Sequence, residues 1–167
     1  MPTTHFRVAL IGYGYAGKTF HAPLINTTPG LTLVAVGSSQ QASVQADLGD
    51  AIDVSADYQA VIQRADIDLV VIASPNDSHA PLAELALQAG KHVVVDKPFA
   101  LSLEQAQKLT ALAQQKQLLL SVFHNRRFDA DFIALQQLLA SNTLGGIAHL
   151  ESRFDRFRPE VRQRWRE

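Results

Sequence analysis

The sequence contains no cysteine, which removes disulfides, thiolate metal sites and cysteine nucleophiles together. It has no apolar run of the roughly 18 residues that a membrane-spanning helix needs. The opening Met1-Pro2-Thr3-Thr4 is no signal peptide. Charge of one sign is also lacking: 15 Lys and Arg stand against 16 Asp and Glu, a formal -1 with a pI near 6.6. That balance gives no general electrostatic case for nucleic acid or a membrane surface. Repeats and low-complexity tracts are absent. The expectation is a soluble, cytoplasmic, globular protein. Its 167 residues, 47% hydrophobic and 19% charged, suit one domain with a small addition and a real core.

The charge is uneven. Residues 1–123 carry 7 basic against 10 acidic residues, whereas 124–167 carry 8 against 6, all 8 being Arg. Glu151, Asp155, Glu160 and Glu167 interleave with the arginines from Arg153 to Arg166, so the segment reads as a solvated or subunit-facing surface. The break near 123 marks a candidate domain boundary.

Strand-length apolar runs recur at 6–11, 31–36, 69–73, 93–95 and 118–123. Their continuity fits strands covered on both faces of a parallel sheet. Helical patterns fill the gaps at about 15–26, 40–48, 58–64, 78–89 and 103–115. Asn76, Asp77 and Ser78 are placed to cap the fourth helix and Gly90 to end it. Ser102, with Gln105 three residues on, has capping-box spacing at the fifth. Pro23 inside the first pattern suggests a bend. Alternating strand and helix predict an α/β fold with a doubly wound parallel sheet. After Phe123 the rhythm changes. Phe128, Phe132, Leu135 and Leu139 predict one helical stripe, ended by Leu144-Gly145-Gly146, and 147–157 alternates as a strand would. Residues 1–123 therefore read as one domain and 124–167 as the start of a second, whose unpaired strand would favour association.

Gly12-Tyr13-Gly14-Tyr15-Ala16-Gly17-Lys18-Thr19 satisfies two phosphate-binding patterns. As G-x-G-x-x-G it is a dinucleotide fingerprint: Gly12 for the turn, Gly14 for pyrophosphate approach, Gly17 for helix–strand packing. As G-x-x-x-x-G-K-T it is a Walker A loop, with Lys18 on phosphate, Thr19 on magnesium and Asp96 as a possible Walker B partner. Either sets an anion on a helix N-terminus. The repeated β-α-β context and Gly14, superfluous to a Walker loop, favour the dinucleotide. A Mg-ATP-binding phosphotransferase and a non-catalytic dinucleotide sensor stay open as alternatives.

Residues 12–17, Ser74-Pro75-Asn76-Asp77-Ser78-His79, Asp96-Lys97-Pro98 and His124-Asn125-Arg126-Arg127-Phe128-Asp129 follow successive strands. Together they resemble the Gfo/Idh/MocA oxidoreductases, named for glucose–fructose oxidoreductase and inositol dehydrogenase. The resemblance implies an NAD(P)-binding Rossmann domain, then the start of a substrate domain. It also implies hydride transfer between nicotinamide and a hydroxyl carbon of a sugar, cyclitol or similar polyol. Lys97 matches the catalytic lysine of the family's Glu-Lys-Pro motif, with Asp96 where Glu is usual, and Lys97-Pro98 resembles the family's cis peptide. Ser74, Pro75, Asn76 and His79 would stand with Asp96, Lys97 and Pro98 around the cofactor, and Asn125 and Arg126 would face nicotinamide and substrate. His21, His79 and His124, isolated and without mates at ligand spacing, read as structural residues and make no metal case. The family's acid/base histidine would lie beyond position 167, so the chain alone is expected to bind nucleotide but turn over poorly.

A site for NAD normally has an acid about 20 residues past the loop, on the ribose 2′-hydroxyl. Here the second strand runs into Gly37-Ser38-Ser39-Gln40-Gln41, with no carboxylate to repel a 2′-phosphate. Ser38 and Ser39 can donate to one, so NADP is favoured over NAD, although the usual arginine is missing.

Overall fold

The structure is a computed structural model that describes residues 5–155, 157 and 159. Two compact units divide the chain, Met1–Phe123 and His124–Glu167. The first is built on β1 (Phe6–Ile11), β2 (Leu31–Gly37), β3 (Asp53–Ser55), β4 (Leu69–Ile72), β5 (His92–Val95) and β6 (Leu120–Val122). All neighbours are parallel, in the order β3-β2-β1-β4-β5-β6. β3 was not among the apolar runs, since Val54 is its only apolar residue. It is held by pairing with Ala35, Val36 and Gly37 of β2.

Alternate residues of β1, β4 and β5 feed two separate cores, the expected result of a pleat with a period of two. Ala9, Ile11, Val70 and Ile72 face one side with Ala80, Ala83, Leu87 and Leu109. These come from α4 (Asn76–Gln88) and α5 (Leu103–Lys116), joined by α3 (Tyr58–Ile62). Val8, Leu10, Val36 and Val71 face the other with Ala22, Ile25 and Val44, from α1 (Ala22–Thr27) and α2 (Gln41–Leu48). Helices on both faces of a parallel sheet are the predicted doubly wound α/β architecture.

Several local expectations change. A π-helical turn, Gly17–His21, precedes α1, and Ala22 N–H donates to the Gly17 carbonyl. Pro23 lies in the first positions of α1, so the helix meets a residue without an N–H by widening one turn just before it. Asn76, Asp77 and Ser78 do not cap α4. The helix begins at Asn76, Pro75 holds the cap position, and no side chain caps it. Ser102 does cap α5, accepting from Gln105 N–H at 3.2 Å, while Gln105 Oε1 accepts from Leu101 N–H rather than from the cap residue.

In the second unit a 3-10 turn, Asn125–Phe128, leads to α6 (Ala130–Ala140). Phe128 drops out of the expected stripe because Asp129, with φ -65° and ψ 141°, breaks the helical path before α6. The helix closes at Ser141, ahead of Leu144. The strand expected over 147–157 is not formed among the described residues. Alternation sets which face a strand would bury, but a ladder needs a partner strand, and none of the described segments supplies one. Arg156, Arg158 and residues 160–167, most of the arginine-rich segment, lie outside the described residues.

Candidate dinucleotide site

The strand order reverses at β1, which pairs with β2 on one side and β4 on the other. Ligands of open α/β sheets bind beyond the carboxyl ends of the strands at such a point. The turns that carry the sequence-predicted residues of the first unit leave those ends.

The glycines of 12–17 divide by what surrounds them. Gly12 has φ +95°, and a Cβ there would lie 2.6 Å from the Ala73 carbonyl oxygen. A Cβ on Gly17 would collide with the carbonyl oxygen of Gly12. The fold itself demands both glycines. Gly14 is exposed, and a Cβ on it would meet nothing within 4 Å. Its missing side chain leaves bare backbone at a helix start, the surface a pyrophosphate requires. Ala16 is half-buried and Tyr15 exposed, its ring edge-on to Phe20. Tyr13 is buried in the core, so only its backbone belongs to the turn. Burial, then the neighbouring Asp47 carboxylate, raises its phenol above the ordinary value.

Lys18, the residue a Walker loop would aim at phosphate, points instead at α2, its Nζ 2.6 Å from an Asp47 carboxylate oxygen. Asp96 is likewise engaged elsewhere, and β4 separates its strand from β1. Nothing in the site supports the Walker reading.

At the end of β2, Ser38 is buried and its Oγ accepts from Gln40 N–H at 3.0 Å. Ser39 is exposed. Residues 37–41, which lead out of β2, contain no carboxylate. After β4, Ser78 donates to the Pro75 carbonyl at 2.6 Å, which leaves Ser74 to donate to Ser78 Oγ, also at 2.6 Å. Asn76 Oδ1 is buried and makes no hydrogen bond. A buried acceptor left open at the edge of a ligand crevice fits a group that donates there. Bare Gly14 backbone and the Asn76 oxygen together suit a dinucleotide.

His79 stands between two backbone carbonyl oxygens. It is 1% exposed, with Nδ1 2.7 Å from the Pro98 carbonyl oxygen and Nε2 2.9 Å from that of Ser74. A neutral ring can donate to only one of these; both contacts are hydrogen bonds only when both nitrogens carry protons. Either way no polar atom of the ring is left for a ligand. It is a strut between the loops after β4 and β5.

In that second loop the Lys97-Pro98 peptide is cis, Lys97 is partly exposed and Pro98 exposed. Asp96 is buried; its Oδ1 accepts from Lys97 N–H at 2.7 Å, and its Oδ2 lies 3.7 Å from His21 Nε2. Burial alone would raise the Asp96 carboxyl, but His21 and the Lys97 N–H and ammonium hold it below the ordinary carboxylate value. Sequence reasoning left His21 as a structural histidine, because 75 residues of chain separate it from its partner.

Asn125 and Arg126 belong to the second unit. There the Arg126 guanidinium pairs with Asp129 at 2.8 Å and lies 4.6 Å above the Phe154 ring. Among the described residues no cluster of His, Asp or Glu could hold a metal ion, and no helix is long and apolar enough to cross a membrane.

Comparison with known proteins agrees with this geometry. Residues 6–124 match the Gfo/Idh/MocA family model, an oxidoreductase family with an NAD-binding Rossmann fold. The uncharacterized oxidoreductase YdgJ of Escherichia coli is 56% identical over 98% of this chain and 47% of its own length. The scyllo-inositol 2-dehydrogenase (NADP(+)) IolW of Bacillus subtilis is 35% identical over 96% of this chain and 45% of its own. A crystal structure from Klebsiella pneumoniae superposes with a TM-score of 0.89 at 60% identity, over 97% of this chain and 46% of that one. The chain thus spans about half the length of the relatives it matches. A Rossmann sheet, a glycine turn shaped for pyrophosphate and these likenesses have one common source: the chain belongs to the Gfo/Idh/MocA family of oxidoreductases and carries its NAD(P)-binding domain.

Proposed function

We propose that this chain is the cofactor-binding part of an oxidoreductase that moves hydride between nicotinamide and a hydroxyl carbon of a sugar, cyclitol or related polyol. The observation that carries the proposal is the position of Lys97 on the strand-end turn beside β4, next to the loop with the open Asn76 oxygen. In this reading residues 1–123 are the cofactor domain and 124–167 open a substrate and subunit-pairing domain. The polyol class is supported by the name of the Bacillus subtilis relative.

When bound, the nicotinamide supplies the hydride acceptor or donor. The backbone of residues 12–17 would hold the pyrophosphate, and Ser38 and Ser39 the adenosine ribose. Ser74, Pro75 and Asn76 would line the nicotinamide side, with Asp96 and Pro98 framing Lys97. Asn125 and Arg126 of the second unit would complete the nicotinamide and substrate contacts. The Lys97 amine, at hydrogen-bond reach of a substrate hydroxyl, would take or return its proton. NADP(H) is the preferred cofactor, because the end of β2 presents hydroxyls and no acid. A cytoplasmic setting and a homo-oligomeric whole protein complete the proposal.

The test is calorimetric titration of the chain with NADPH, NADH and Mg-ATP. Tight NADPH binding with weaker NADH is expected. Binding of Mg-ATP alone would overturn the reading.

A further inference from the structure

We infer that His21 is a positioning residue for Lys97 and acts through Asp96. The inference rests on the reading of Lys97 as the proton-handling residue at the cofactor site.

His21 sits on the π-helical turn of the first crossover and is 3% exposed. One ring face packs on Phe123, centroids 4.4 Å apart, which fixes its tilt. Its Nε2 is buried and makes no hydrogen bond. The atom that faces it is Asp96 Oδ2 at 3.7 Å, within ion-pair reach but too long for a hydrogen bond. Asp96 is 7% exposed, and a buried carboxylate persists only where both oxygens are compensated. Oδ1 has the Lys97 N–H. Oδ2 faces the His21 ring nitrogen.

The carboxylate is therefore held between an imidazole below and the Lys97 backbone above. On the other side of Lys97, the Pro98 carbonyl meets His79. Residues 96–98 are pinned at both ends by buried imidazoles, one from each face of the sheet. Both rings are buried, His21 3% and His79 1% exposed. Their effect is to deny the lysine backbone the freedom that its strand-end position would otherwise allow.

The test is trace acetylation of the chain, with the labelling of Lys97 measured by peptide mass against Lys116 as internal reference. His21→Leu and Asp96→Asn are each expected to shift the Lys97-to-Lys116 ratio about threefold or more, and the double variant no further than either alone, as for residues acting in one network. His21→Gln, which keeps a side-chain N–H, is expected to restore the ratio. A His21 that only fills space is served equally by Leu, so an unmoved ratio, or effects that simply multiply in the double variant, overturns the inference. Should His21→Leu lose its thermal transition, the same cycle with His21→Met, which also lacks a side-chain N–H, decides. NADPH titration of the unaltered chain tests the underlying reading separately: absence of binding there defeats that reading, while the cycle alone decides the coupling.

Discussion

Gly17 stands so close to Gly12 that a side chain on it would strike the Gly12 carbonyl oxygen. Gly14, midway between them, has open space where its side chain would be. One motif thus holds two glycines that the fold requires and one that it does not, left for the ligand in the proposed function. Gly17→Ala is expected to lose about 1–3 kcal/mol of stability by overpacking. Gly14→Ala is expected to stay within about 0.5 kcal/mol of the parent while NADPH binding weakens about tenfold or more, near 1.4 kcal/mol. Urea unfolding and calorimetry on the same samples check the split; equal stability losses at both positions would contradict it.

Lys18→Ala removes the pair with Asp47, which is half exposed on the lysine side and worth about 0–1 kcal/mol. Dinucleotide affinity should not change. A fall in NADPH affinity of tenfold, or Mg-ATP binding by the parent that disappears in the variant, would return the Walker reading to consideration.

Ser39→Asp puts a carboxylate at the exposed end of β2. Against a 2′-phosphate the like charge should cost NADPH about tenfold or more in Kd, about 1.4 kcal/mol. NADH should be affected less, or gain. If both cofactors respond alike, the 2′-position is not read at this strand end.

His79→Leu keeps the volume of a buried side chain but strips the donor from the Ser74 and Pro98 carbonyls. A loss of about 2–4 kcal/mol is expected, seen as a lower urea midpoint with an unchanged slope. A loss under about 0.5 kcal/mol would show that the strut is dispensable.

Asp66 links Arg64, at 2.9 Å, and Arg7, at 2.7 Å. Hydrogen bonds from Arg64 and then Arg7 hold its carboxyl well below the usual carboxylate range. A depressed carboxylate stabilises the fold above its unfolded value of about 4, and that contribution is lost as pH falls through the folded value. The groups are partly exposed, so solvent screening limits the effect to about 0.5–1 kcal/mol. Asp66→Asn should unfold at lower urea than the parent at pH 7, and the gap should narrow steadily below pH 4. A gap independent of pH would remove Asp66 as the cause.

The sheet was legible because apolar runs are a local signal: β4 is unbroken Leu, Val and Ile, and β1, β2, β5 and β6 are mostly apolar. β3 escaped because its one apolar residue gives no run, and its pairing to β2 is a tertiary event. The strand read over 147–157 is not formed among the described residues for the converse reason, since alternation was present but no described segment pairs with it. The glycine motif pointed to a phosphate-bearing ligand from sequence alone and left dinucleotide and Mg-ATP readings side by side, because both patterns are written in the same residues. Which glycine serves the fold and which the ligand depends on what surrounds each one. The two buried histidines belong wholly to the tertiary structure. His21 meets Asp96, and His79 meets Pro98, across long stretches of chain, and only the packing of helices onto both faces of the sheet brings each ring to its partner. Sequence by itself determined fold class and family by local pattern; the tertiary structure decided which buried rings meet the loop after β5, because contacts between residues far apart in the chain leave no periodic trace in it.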